Sequence, residues 1–130
     1  MATPFAVRVV TPEKILFDGE AEMVFMRASN GDIAFLAHHM PFIGSLEIGL
    51  VKIKTSEKEI LVALHGGFVK VKSSNLDIVA GVAELGEQID IDRARTALDR
   101  ANSSNNPDDL EVQLAQRRAS VRLQAAGVSP

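Results

Sequence analysis

The sequence contains no cysteine, no tryptophan and no tyrosine, and its aromatic residues are six phenylalanines. The absence of cysteine excludes a disulfide framework and any thiolate metal site, and it fits a reducing compartment. Basic residues are not in excess: the net charge is −3, with 14 Lys and Arg against 17 Asp and Glu. Such a chain is a poor general nucleic-acid binder, so no nucleic-acid partner is expected. No apolar run approaches the roughly 18 residues that span a bilayer. The start Met1-Ala-Thr-Pro-Phe5 has no basic region followed by an apolar stretch, so no signal peptide is expected.

What is present is unevenly distributed. Every Phe lies between Phe5 and Phe68 and every Lys between Lys14 and Lys72, whereas the basic residues beyond Val82 are all Arg. The chain changes character near Gly81. Before it, the pattern is β. Phe5–Val10, Glu22–Arg27, Leu50–Lys54, Ile60–Leu64, Phe68–Lys72 and Leu76–Ala80 read as short strands, several with apolar and polar residues alternating. Asp18-Gly19, Asn30-Gly31-Asp32, Thr55-Ser56-Glu57, Gly66-Gly67 and Ser73-Ser74-Asn75 read as turns between them. Regular short strands of this kind predict a sandwich or barrel.

After Gly81 the period is helical. Ile91, Ala94, Ala97, Leu98 and Ala101 predict one helix, started by Asp90 or Asp92. Asn106-Pro107-Asp108-Asp109 predicts the start of a second, with Asn106 as cap and Pro107 at the first helical position. It runs toward Ala125, and Gly127 and Pro130 end it. Its apolar stripe, Leu110, Leu114, Val121 and Ala125, is thin. A helix pair that buries so little is expected either to dock only conditionally or simply to pack on the sandwich, and the pattern does not choose between the two.

Enzyme chemistry finds little support. There is no Walker loop. His65-Gly66-Gly67-Phe68 has the look of an esterase oxyanion loop, but no Gly-x-Ser-x-Gly elbow accompanies it, so a glycine turn is expected there. His38, His39 and His65 with Asp32 or Glu47 define the rival reading, a free-standing β-sandwich metalloenzyme with a histidine-centred site. Adjacent histidines on a strand point to opposite faces, and neither His-x-His nor His-Glu-x-x-His occurs, so no metal is expected. His65 is expected to hydrogen-bond backbone in its turn. No nucleophile has a base beside it, and a non-catalytic protein is the leading inference.

The order of motifs then matters. Val9-Val10-Thr11-Pro12-Glu13, Leu16-Phe17-Asp18-Gly19-Glu20-Ala21, Gly31-Asp32-Ile33-Ala34-Phe35-Leu36, His39-Met40-Pro41, Leu46-x-x-Gly49, His65-Gly66-Gly67-Phe68 and Ile89-Asp90-x-x-Arg93-Ala94 follow one another. In this succession, from Phe5 to about Leu123, the chain resembles the epsilon subunit of the bacterial F-type ATP synthase. It departs from the family pattern at Ala34, where a second Gly is usual, and at Ala37 and His38, where Pro-Gly is usual.

The resemblance implies a ten-stranded β-sandwich over residues 1–83 and an antiparallel two-helix hairpin over 84–130. It implies a non-catalytic rotor subunit of the central stalk that couples ion flow to ATP synthesis, at the cytoplasmic face of the bacterial cell membrane and peripheral to it. The implied partners are the gamma subunit, the ring of membrane c subunits and, in an extended state of the hairpin, the alpha and beta catalytic subunits. Asn30, Gly31, Asp32, His38, His39 and Met40 are implied at the c-ring contact. The hairpin is implied to restrain ATP hydrolysis when extended and, when compact, to bind ATP without Mg²⁺ as a regulatory ligand rather than a required cofactor. Glu84, Ile89, Asp90, Arg93, Ala94 and Arg100 match the family's ATP motif positions, and Arg118 and Arg122 on the second helix are implied as its second pair of guanidinium groups.

Overall fold

The computed structural model describes residues 3–28, 31–37 and 41–130. The expected c-ring residues Asn30, His38, His39 and Met40 lie outside the described residues. Within them the chain forms β1 (Phe5–Val10), β2 (Ile15–Ala21), β3 (Met23–Ala28), β4 (Gly31–Phe35), β5 (Phe42–Lys54), β6 (Glu59–Lys72), β7 (Asn75–Val79) and β8 (Ala83–Leu85). A single 3-10 turn (Gly86–Gln88), α1 (Ile91–Asn102) and α2 (Leu110–Ala125) follow.

The strands bond in the order β2-β1-β7-β6-β5-β3-β4, with β8 added to β6. The long β5–β6 ribbon passes through both layers of the sandwich. Its open end, Phe42–Leu46 against Gly67–Val71, continues through β7 and β1 to β2. Its turn end, Ile48–Lys54 against Glu59–His65, is flanked by β8 on one side and by β3 and β4 on the other. A strand that bends from one sheet to the other is a known way of making a sandwich corner.

The resemblance implies ten strands; the described residues form eight. Ile60–Leu64 and Phe68–Lys72 are halves of one strand, and Gly66-Gly67 is a bend inside it rather than a turn between two. The bend has a purpose that the pattern shows. Before it Val62 and Leu64 are buried in the sandwich; after it Val69 and Val71 are. Gly66 and Gly67, at φ 88° and 154°, reverse the alternation so that both halves turn apolar side chains to the same core. A Cβ on Gly67 would also collide with the carbonyl oxygen of Val79 and come within 3.1 Å of Ala80 Cα.

β2, β4 and β8 escaped the sequence reading because none alternates cleanly; Asp18-Gly19, expected as a turn, lies inside β2, and Gly31 and Asp32 begin β4. Phe17 and Leu16 of β2 are only partly buried at the edge of the core. The core itself is carried by Val7, Val9, Val24, Met26, Phe35, Ile53, Leu64, Leu76 and Ile78, each at most 1% exposed.

The opposite face of the β5–β6 layer carries the helices. Ile48 and Leu50 on β5 and Leu61 and Ala63 on β6 point away from the sandwich core into a second cluster with Ile89, Ala94, Leu98, Val121, Leu123 and Ala125. Val121, Leu123 and Ala125 are all buried although no helix face can contain all three at that spacing. The end of α2 is therefore covered on more than one side, by the sheet and by α1. Leu110, expected in the apolar stripe, is 65% exposed, and Leu123, outside it, is fully buried.

Asp90 caps α1, its carboxylate accepting the backbone N–H of Arg93 at 3.0 Å, as expected. The second helix starts later than expected. Pro107 and Asp108 form a turn closed by the Asp109 N–H to the Asn106 carbonyl at 3.0 Å. Asp109 is the cap and accepts the Glu111 N–H at 2.8 Å.

Candidate functional site

Three of the residues singled out in the sequence, His65, Glu84 and Arg122, meet where β6, β8 and α2 converge. Pairing with β6 fixes β8, with Ala63 opposite Glu84. The Glu84 side chain leaves that strand toward the last turn of α2. There the Arg122 Nε–H donates to Glu84 Oε1 at 2.6 Å. On β6 the run Leu61, Ala63, His65 faces the helices, and His65 Nε2 lies 3.0 Å from the same Oε1. A carboxylate only accepts, so Nε2 carries the proton in the neutral ring.

The imidazole is 4% exposed, while the side chains of Glu84 and Arg122 are 35% and 29% exposed. His65 Nδ1 is buried with no hydrogen-bond partner among the described residues. The sequence reading expected His65 to bond backbone in a turn. Instead it stands in a continuous strand and bonds a carboxylate nineteen residues away. Burial pushes its pKa down. The hydrogen bond to Glu84 opposes that, and the guanidinium groups of Arg122 and Arg118 add to it. For Glu84, burial pushes upward, but the hydrogen bonds from Arg122 and His65 outweigh it and hold the carboxyl below its usual range.

The motif Ile89-Asp90-x-x-Arg93-Ala94 divides into structural and free groups. Ile89 and Ala94 are buried in the second cluster, and Asp90 is the helix cap. Arg93 and Arg100 are exposed on α1, and neither guanidinium makes an ion pair among the described residues. Arg122 is bonded to Glu84 rather than left open beside α1. Half-buried Arg118, one turn before it, contributes its charge at His65.

Gly31 and Asp32 open β4, Gly31 at φ 122°. Asp32 borders a cleft of ≈ 430 Å³ between the sheet and α2, together with Lys52, Arg117, Ser120 and Gln124. A larger cleft of ≈ 730 Å³ lies between β2, the β5–β6 turn and the end of α2, floored by Phe17, Ile60 and Leu85. Among the described residues no three His, Asp or Glu side chains gather as metal ligands, and no helix is long and apolar enough to cross a membrane.

Gly86 shows how closely α2 approaches the sheet. A Cβ there would collide with the carbonyl oxygen of Ala125. The helix end can therefore come down on the strand–turn junction only over a glycine.

Comparison with known proteins places this geometry. Residues 4–86 match the family model of the ATP synthase delta/epsilon chain, beta-sandwich domain. An ATP synthase epsilon chain of Bacillus pumilus is 40% identical over 125 residues, 93% of this chain and 95% of that one. One of Streptomyces griseus is 40% identical over 129 residues, 98% and 99% of the two chains. Among solved structures, a chain of the Euglena gracilis mitochondrial ATP synthase (OSCP, F1 and c-ring) superposes with a TM-score of 0.73 at 18% identity, covering 98% of this chain and 81% of that one. A chain of the Tetrahymena thermophila mitochondrial ATP synthase central stalk and c-ring gives 0.61 at 20% identity, covering 98% of both. At those identities the two structures establish the fold alone.

Proposed function

The chain belongs to the ATP synthase epsilon chain family, a non-catalytic subunit of that complex, and from that premise we propose that it is a rotor subunit whose helices regulate ATP hydrolysis. In this reading residues 1–83 grip the gamma subunit and the c-ring, and residues 84–130 form the regulatory unit. Asn30, Gly31, Asp32, His38, His39 and Met40 face the ring. The complex holds the subunit at the cytoplasmic face of the cell membrane and couples ion flow to ATP synthesis. Extended, the helices reach the alpha and beta subunits, where the arginines of α2 pair with acidic surface.

The observation that supports a regulatory hairpin is the modest hold on α2. Burying Val121 and Leu123 contributes roughly 1.5–3 kcal/mol each. Its polar ties include Arg122 to Glu84 on β8 and the Gln116 amide to Asn102 on α1, both at least partly exposed. An element held this lightly suits two alternative positions, because a ligand must outweigh only a few kcal/mol to move it.

ATP is the proposed ligand of the docked state. Exposed Arg93 and Arg100 supply guanidinium groups for a polyphosphate without Mg²⁺, and Arg118 and Arg122 lie on the facing helix. Calorimetry with ATP should show binding by the full chain and its loss in Arg93→Ala; no heat at millimolar ATP refutes the site. Deleting residues 82–130 should raise hydrolysis by the reconstituted complex, and unchanged hydrolysis removes the brake. The metalloenzyme reading is not favoured, since relatives at 40% identity over nearly the whole chain are ATP synthase epsilon chains.

A further inference from the structure

Between the β5–β6 layer and the helices packed on it sits one group whose charge state the docked arrangement restricts. His65 is on the face of β6 that α2 covers, in line with Leu61 and Ala63. Its ring is 4% exposed. One nitrogen is engaged by Glu84 Oε1 at 3.0 Å, and the other, Nδ1, is buried without a partner among the described residues.

We infer that His65 is a proton-operated latch: neutral, it supports docking of the helices on the sandwich, and its protonation releases them. A second proton on the ring must go to Nδ1, where it creates a buried donor with nothing among the described residues to receive it. The new charge is shielded from water by α2 and faces the guanidinium groups of Arg122 and Arg118. Among the described residues Glu84, on β8, offers the compensating charge, and that carboxylate is already shared with Arg122 at 2.6 Å. The charged groups that act on His65 are thus Glu84 from β8 and Arg118 and Arg122 from α2.

Undocking relieves every one of these costs, because water then reaches both nitrogens. The lowering of the His65 pKa by burial has the same sign. The undocked chain, with an ordinary value of 6.5, binds the extra proton first. Docking is therefore fully supported above that pH and loses support as pH falls below it and through the docked value. One proton limits the loss to at most about tenfold in the docked-to-undocked ratio per pH unit. The inference rests on the mobile-hairpin reading only in requiring that the helices can leave the sandwich.

The test uses the full chain, whose lack of cysteine permits two unique labels. Ser56 and Ser129 are exposed, and Ser56 and Gly127 border the same cleft, so donor and acceptor dyes on Ser56→Cys and Ser129→Cys are close when α2 is docked. Energy transfer is followed from pH 8 to pH 5.5. The expected result is a reversible loss of transfer below about pH 6.5, abolished by His65→Gln, whose amide still donates to Glu84 but takes no proton. His65→Asn gives a second uncharged side chain, and amide spectra of the strands verify that the sandwich stays folded.

Transfer that falls equally in His65→Gln and His65→Asn overturns the inference, since His38 and His39 remain in both. Transfer that stays high in the wild type at every pH overturns it as well. In that case a Glu84→Ala/Arg122→Ala chain separates the two readings. Release in the double variant leaves the hairpin mobile but not proton-operated, and persistent docking defeats mobility itself.

Discussion

Arg122 on the last turn of α2 donates its Nε–H to Glu84 Oε1 on β8 at 2.6 Å, across thirty-eight residues of sequence. This bond ties the helical segment to the sheet at a place where both side chains keep about a third of their surface in water. Exposure screens the pair, so its strength is modest and sensitive to salt.

A double-mutant cycle on Glu84→Gln and Arg122→Ala is therefore expected to give a coupling of about 1 kcal/mol, measured by urea unfolding or by docking of α2. The carboxyl of Glu84 lies below its ordinary value in the folded chain. Its contribution is fully present above the ordinary value of 4.5 and disappears as pH falls through the folded value. The coupling should vanish in strong acid and shrink in high salt, and a value independent of both contradicts the charged pair.

Leu123 should matter more than either charge. It is completely buried between the sheet and α1, and Leu123→Ala is expected to cost about 2–5 kcal/mol. Most of that cost falls on the seating of α2, so amide exchange in Leu110–Ala125 should accelerate while β1, β6 and β7 stay protected. Leu110→Ala, on the same helix but exposed, should change little. Equal effects of the two substitutions contradict this packing.

Asp90 serves as the cap of α1 and is also a proposed ligand residue. The two roles separate by substitution. Asp90→Ala should destabilise the chain by about 0.5–2 kcal/mol through loss of the bond to the Arg93 N–H. Asp90→Asn keeps a good capping side chain and should lose a few tenths at most. If ATP affinity measured by calorimetry falls in the Ala variant and holds in Asn, the residue acts only by placing Arg93; a fall in both assigns the carboxylate a direct part.

Local rules were legible wherever one residue and its near neighbours decide the outcome. Phe5, Val7 and Val9 alternate with exposed Ala6 and Arg8 because a strand has a period of two, and β1 could be read from that pattern alone. The cap at Asp90 was legible for the same reason, since its partner is three residues away. The start of α2 was misread by one turn. Pro107 suits the first helical position and equally suits a turn, and only the Asp109 N–H to Asn106 bond shows which was adopted.

β6 was read as two strands for a different reason. A glycine pair such as Gly66-Gly67 reads as a boundary, yet it closes no chain reversal when its neighbours continue to pair with β5 on both sides. That pairing is a long-range fact, and so is the bond between His65 and Glu84. Nothing near His65 in sequence distinguishes a turn histidine from one whose ring is covered by a helix more than fifty residues later.

The amino-acid order alone made the change from strand to helix legible, because β and helical periods are properties of neighbouring residues, although the sheet runs on to Leu85. It determined the cap of α1 and the resemblance to the epsilon chain as well. Tertiary structure decided the rest. It brought Arg122 and His65 onto one oxygen of Glu84, and it left His65 Nδ1 without a partner among the described residues. The physical reason is that burial and charge pairing are made by folding: the same imidazole titrates in the usual way on an open strand and resists a proton once α2 covers it.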